Sequence, residues 1–212
     1  MLKRRLALMA LLCVAPLVVG AELPETNGLV ILLTDYGTDS IYVGILKGAM
    51  YARSTELKID SITNDVPSFD IEAGAHLLLE GVQAYPPGTV FCCVVDPGVG
   101  TSRKPIVLAT ENGWYFVAPD NGLLTGVAER YGVAEVRQIT NESLELPGAQ
   151  STTFHGRDIF GPVAAALAAG ARLEDVGPKL DEMVKIELPE SRVEDGAAHG
   201  RVHAACRGAH AA

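Results

Sequence analysis

Short apolar runs of strand length alternate along this chain with segments of helical periodicity, and no other feature restricts the fold as tightly. Leu29 to Leu33, Leu57 to Ile62 and Thr89 to Val95 read as strands. Between them, a helix capped by Asp39 or Ser40 is expected to run to about Arg53, with Ile41, Ile45 and Leu46 or Ala49 on one face. A second is expected from about Phe69 to Ala84, with Ile71, Ala75, Leu78 and Val82 at helical spacing. Pro105 to Ala109 and Trp114 to Ala118 read as a hairpin turned by Asn112-Gly113. A helix from Leu123 to Tyr131, a strand from Val133 to Ile139 and an Ala-rich helix from Phe160 to Ala169 complete the pattern. Such alternation predicts an α/β fold, a largely parallel sheet flanked by helices.

The 212 residues are 48% hydrophobic and 20% charged, which suits one globular domain with a real core. The net charge is −9, and without residues 1–21 the chain carries 14 basic against 26 acidic residues. That balance, with no basic patch, argues against nucleic-acid binding and suits a cationic ligand. Lys3-Arg4-Arg5, the apolar run from Leu6 to Val19 and the small residues Gly20 and Ala21 predict a signal peptide over 1–21. The expected location is therefore secreted or periplasmic, with no stable membrane insertion after cleavage; an uncleaved anchor is the competing reading. Cys92 and Cys93 should alternate faces of a strand and cannot easily bridge each other. Residues 197–212 contain seven Ala, three His and no acid, and 191–212 are expected to be an irregular, truncated tail.

Ligands of open α/β sheets sit beyond the carboxyl ends of strands. Asp35, Asp96 and Asp120 each follow an expected strand directly, and the three together suggest a site more than three unrelated turns. Asp96 opens a Gly98- and Gly100-containing loop ending at Arg103, with which it is placed to pair. The loop is neither a dinucleotide fingerprint nor a phosphate-binding loop. His155 lies among Ser151, Thr152, Thr153, Gly156, Arg157 and Asp158 before a helix start, a setting that favours function, whereas His76 falls in mid-helix and reads as structural. No serine occupies a nucleophile elbow. Asp35, Asp39, Asp96, Asp120, His155 and Asp158 would also suit a metal-dependent hydrolase, although no closely spaced pair of ligands supports it.

Four segments taken together resemble the S-adenosyl-L-methionine (SAM) hydroxide adenosyltransferases, the SAM hydrolases related to the SAM-dependent fluorinase and chlorinase. They are Thr34-Asp35-Tyr36-Gly37 with Tyr42-Val43-Gly44 and Lys47-Gly48; Val95-Asp96-Pro97-Gly98-Val99-Gly100-Thr101-Ser102-Arg103; Ala118-Pro119-Asp120-Asn121-Gly122; and Thr153-Phe154-His155-Gly156-Arg157-Asp158. The resemblance covers about residues 28–190. It implies substitution at C5′ of the SAM ribose by water, giving adenosine and L-methionine, with SAM as substrate and no cofactor or metal. It also implies that Asp96, Arg103 and His155 gather around the attacking water. Arg103 would stabilise developing hydroxide, Asp96 would hold Arg103 or His155 in place, and His155 would accept the proton. Asp35 matches the ribose-binding carboxylate. Asp39 and Ser40 align with residues that meet the methionine part, Phe69 with a substrate-facing aromatic and Asn121 with a motif at the site. Gly156 stands where the halogenases have a halide-contacting Ser. Asp96 and His155 stand where those enzymes have Tyr, so hydrolysis is expected over halogenation. Members of the family continue into a β-rich C-terminal domain and form homotrimers, whereas recognisable sequence here stops near Gly196. A catalytically impaired remnant that folds and binds adenosine or SAM is the alternative to an active hydrolase.

Overall fold

The computed structural model describes residues 23–148, 151–189, 192–194 and 197–199. The expected signal peptide and most of the Ala- and His-rich tail lie outside the described residues. In chain order the elements are β1 (Leu29–Thr34), α1 (Ile41–Tyr51), β2 (Lys58–Thr63), α2 (Ile71–Gly81), β3 (Val90–Val94), β4 (Pro105–Thr110), β5 (Tyr115–Pro119), α3 (Thr125–Tyr131), β6 (Val133–Gln138), α4 (Gly161–Ala168), β7 (Lys179–Leu180), β8 (Arg192–Glu194) and β9 (Ala197–His199). A π-helical turn, Gly156–Phe160, leads directly into α4.

Seven strands form one sheet in the order β2-β1-β3-β5-β4-β6-β7. The pairs β2/β1, β1/β3 and β3/β5 are parallel, and β5/β4, β4/β6 and β6/β7 antiparallel. The sheet is therefore mixed rather than largely parallel. The Asn112-Gly113 turn reverses the chain into a hairpin, and β6 joins the outer side of that hairpin antiparallel. β8 and β9 pair as a separate antiparallel ribbon, so the stretch expected to be irregular carries regular backbone pairing at its start.

Alternation along the strands divides the core into two halves. Val30, Leu32 and Cys92 face α1 and α4, and Ile31, Leu33 and Cys93 face α2 and α3. The two cysteines thus sit on opposite faces, both buried and unbridged. α1 buries Val43, Leu46, Ala49 and Met50. Ile41 and Ile45, expected on the inner face, are 73% and 40% exposed. Burial of Leu46 and Met50 contributes roughly 1.5–3 kcal/mol each, which fixes the helix rotation in favour of the Leu46 side. Caps set both helix starts. The Ser40 hydroxyl accepts from the Tyr42 N–H at 3.2 Å, and the Asp70 carboxylate from the Ala73 N–H at 2.9 Å.

This topology positions the site. β1 is flanked by β2 on one side and β3 on the other, so the chain leaves β1 in one direction and returns from α2 in the other. The carboxyl ends of β1 and β3 form the switch point where such sheets open a crevice.

Candidate active site

Register brings the first two aspartates together. Thr34 pairs with Val94, so Asp35 and Asp96 leave neighbouring strands at nearly the same level. The loop after β1 is stitched to the loop after β2. Asn64 accepts from the Thr34 hydroxyl at 3.0 Å, its carbonyl accepts from the Gly37 N–H at 2.7 Å, and Asp65 accepts from the Thr38 N–H at 2.7 Å. Asp35 accepts the Phe69 N–H at 2.9 Å. Phe69 has φ +63° at the third position of the turn closed by Asp70 N–H and Pro67 C=O at 3.0 Å, a place that normally takes glycine. Its left-handed backbone aims the N–H at Asp35.

Asp96 and Arg103 form the expected pair. Arg103 Nε donates to both carboxylate oxygens at 3.1 and 2.9 Å, and Nη2 donates to Oδ2 at 2.6 Å. Both side chains are more than nine-tenths buried. The guanidinium also lies 5.1 Å from the ring centre of Phe160, whose π-helical turn carries it under the loop. Its Nη2 meets His155 Nδ1 at 2.6 Å. Arginine has no acceptor atom, so Nδ1 must present its lone pair, and the neutral ring carries its proton on Nε2. His155 is pushed below its ordinary pKa, first by burial and second by the Arg103 charge. The ring therefore stays neutral and offers an Nε2–H donor. The role of proton acceptor expected for His155 does not fit this geometry, because the nitrogen that would take the proton is already facing Arg103.

Two glycines make the assembly compact. A Cβ on Gly100, at φ +77°, would stand 2.5 Å from the Thr152 carbonyl oxygen, so the Asp96–Arg103 loop touches the segment bearing His155 only because residue 100 is glycine. A Cβ on Gly156 would stand 2.1 Å from the Tyr36 hydroxyl.

A cavity of about 260 Å³ opens here, lined by Asp35, Asp96, His155, Gly156, Phe69 and Tyr36 among others. Burial is the main cause that raises Asp35 above the ordinary carboxylate range, with Asp96 adding to it. Tyr36, Tyr42 and Phe154 form an edge-to-face trio with ring centres 5.2 to 6.4 Å apart, and all three line the cavity. The sequence reading missed this aromatic wall, although each ring lies within one of the matched motifs. Aromatic side chains flanking candidate polar residues were the available signal.

Asp35, Asp96, Arg103, His155, Gly156 and Phe69 thus converge. Five other candidates do not. Asp39 is exposed in the turn before α1, and Ser40 spends its hydroxyl on the α1 cap. Asn121 Nδ2 donates to the Val95 carbonyl at 2.9 Å and its Oδ1 accepts from the Leu123 N–H at 3.2 Å, tying two strand ends together. Asp120 accepts the Val184 N–H at 2.8 Å. Asp158 is also structural. It pairs with Arg157 at 2.5 Å and accepts the Ser151 N–H at 3.1 Å. Among the described residues no group of three or more His, Cys, Asp or Glu side chains is placed to hold a metal ion, and no helix is long and apolar enough to cross a membrane.

The α/β domain that carries this cluster is that of a known family. Residues 30–177 fit the SAM hydroxide adenosyltransferase N-terminal domain, and the chain belongs to that family. It is 39% identical over 169 residues to the (R)-S-adenosyl-L-methionine hydrolase of Methanocaldococcus jannaschii, covering 78% of this chain and 62% of that protein. It is 42% identical over 157 residues to the hydrolase of the same name from Salinispora tropica, covering 74% of this chain and 59% of that one. A fluorinase from Actinoplanes is 28% identical over 194 residues, covering 80% and 65%. Among solved structures, an uncharacterized conserved protein from Thermotoga maritima superposes with a TM-score of 0.75 at 48% identity, over 78% of this chain and 64% of that one. The chain spans about three-fifths of the length of the curated relatives it matches.

Proposed function

We propose that this protein hydrolyses SAM to adenosine and L-methionine. The observation that carries the reading is the hydrogen-bonded chain Asp96–Arg103–His155, whose two ends, Asp96 and His155, line the same cavity as Asp35. Similarity to proteins named (R)-S-adenosyl-L-methionine hydrolase supports it. A cationic sulfonium also suits a cavity whose acid groups outnumber its bases.

In this reading a ribose hydroxyl pair is held by the Asp35 carboxylate. The water oxygen attacks C5′, the C5′–S bond breaks, and its electron pair goes to sulfur, which leaves as the neutral thioether of methionine. No acid is needed at the leaving group; the difficulty lies in a water that must be aimed and must lose a proton. Arg103 has no acceptor atom, and His155 has Nδ1 engaged and Nε2 protonated. Asp96 is therefore the member of the cluster with lone pairs left to accept the water proton. Arg103 holds Asp96 by two nitrogens, and His155 donates from Nε2 to the water oxygen as it becomes hydroxide-like. Asn121 and Ser40 act on the scaffold rather than on substrate, and Asp39 is exposed outside the cavity lining. We also infer that the unit that folds is residues 28–190 and that it works as the homotrimer the resemblance implies. The exposed rim residues Phe69 and Tyr42, 65% and 52% exposed, support a covering surface there.

The test is incubation of the protein with SAM followed by chromatography. Adenosine and methionine should appear in equal amounts, at a rate unchanged by EDTA. A rate abolished by chelation would favour the metal-dependent hydrolase instead.

A further inference from the structure

The Tyr36 hydroxyl has no place in the mechanism above, yet the fold makes specific room for it. The ring is wedged edge-on against Phe154 at 5.6 Å and Tyr42 at 6.4 Å. Its oxygen occupies the volume a side chain on residue 156 would need, the would-be Cβ lying 2.1 Å away. Phenylalanine would satisfy the ring contacts equally well, so packing alone does not account for a tyrosine opposite a glycine. No described residue forms a hydrogen bond with the hydroxyl, and Tyr36 lines the cavity with Asp35, Asp96 and His155. Polar groups so placed are satisfied by what enters the cavity. Burial holds the phenol neutral at any working pH, so the oxygen accepts as well as donates.

A water has four tetrahedral positions. In the proposed reaction one lone pair faces C5′, the other accepts from His155 Nε2–H, and one hydrogen goes to Asp96. The second hydrogen needs an acceptor if the water is to be fixed in one orientation. We propose that the Tyr36 hydroxyl oxygen is that acceptor, a further group that touches the reacting water and sets its line of attack on C5′. The inference rests on the SAM-hydrolase reading.

The experiment is steady-state kinetics of Tyr36→Phe with SAM. The expected result is a fall in kcat of about tenfold or more, the scale for a misaimed reactant, with KM within about twofold and an unchanged thermal melt. Gly156→Ala should lower kcat in the parent, by displacing the hydroxyl, and should cost less in the Tyr36→Phe background. A Tyr36→Phe variant with the parent's kcat would overturn the inference and leave the SAM reading standing. So would a rise in KM at unchanged kcat, which would place the hydroxyl on the ribose instead. A parent chain that forms no adenosine removes the SAM reading itself, and this inference falls with it.

Discussion

Two stretches of one sheet edge meet opposite fates. At the β1/β3 end, Asp35 and Asp96 face an open cavity, and each holds a fixed donor: the Phe69 N–H and the Arg103 guanidinium. At the β5 end, Asp120 occupies an equivalent place after its strand, yet a strap of residues 183–188 is tied to it. Asp120 accepts the Val184 N–H at 2.8 Å, Thr125 Oγ1 accepts the Ile186 N–H at 3.1 Å, and Ile186 packs on Gly122. All three aspartates end strands, so the strand end itself does not make a site. What decides is what else the carboxylate faces. Asp120 lines a different cavity, with Ser102, Arg103, Lys104 and residues 182–185, apart from Asp96 and His155.

The sharpest way to break this contrast is at Arg103. Arg103→Lys keeps the charge but not the forked contact to Asp96 and His155, and kcat with SAM should fall by about 10²–10³-fold. Arg103→Ala would also leave a buried carboxylate unpaired, at a stability cost of about 3–5 kcal/mol, so the lysine variant gives the cleaner kinetic readout. Next in size is Asp35→Ala. Calorimetry should show adenosine binding weakened by about 1.5–3 kcal/mol, the scale for hydrogen bonds to a charged acceptor. Acid pH separates the two residues of the open end. Asp35 protonates above its ordinary 3.8, so KM should rise on acidification earlier than an unperturbed carboxylate would allow. His155 protonates below its ordinary 6.5. Its added proton would sit on Nδ1 against the Arg103 donor, so kcat should hold through pH 6.5 and fall only beneath it. The smallest effect is expected at the β5 end. Asp120→Ala should leave kcat within about twofold and lower stability by about 1 kcal/mol, the worth of one hydrogen bond, as read by denaturant unfolding.

Much of this was legible in the sequence because it was local. The strands announced themselves as apolar runs, and the loop from Asp96 to Arg103 is short enough to close its own ion pair. The approach of His155 to Arg103 is not local. It depends on Gly100 meeting the Thr152 carbonyl, and the family resemblance rather than spacing anticipated it. The antiparallel addition of β6 and β7 to the hairpin escaped because a hairpin signal states how two strands join, not where a third will add. The inner face of α1 escaped because Ile41 and Ile45 have the same periodicity as Val43, Leu46 and Met50 seen one step around the helix. The partners of Asp120 and Asn121 escaped for a related reason: Val184 and Val95 lie 64 and 26 residues away along the chain.

The central claim is that water held at the Asp96–Arg103–His155 end attacks C5′ of SAM. Turnover in water enriched in oxygen-18, with mass spectrometry of both products, tests it most directly. The account predicts one labelled oxygen in each adenosine, none in methionine, and loss of labelled adenosine in Arg103→Lys. Unlabelled adenosine, label in the methionine, or full labelled turnover in Arg103→Lys would contradict it.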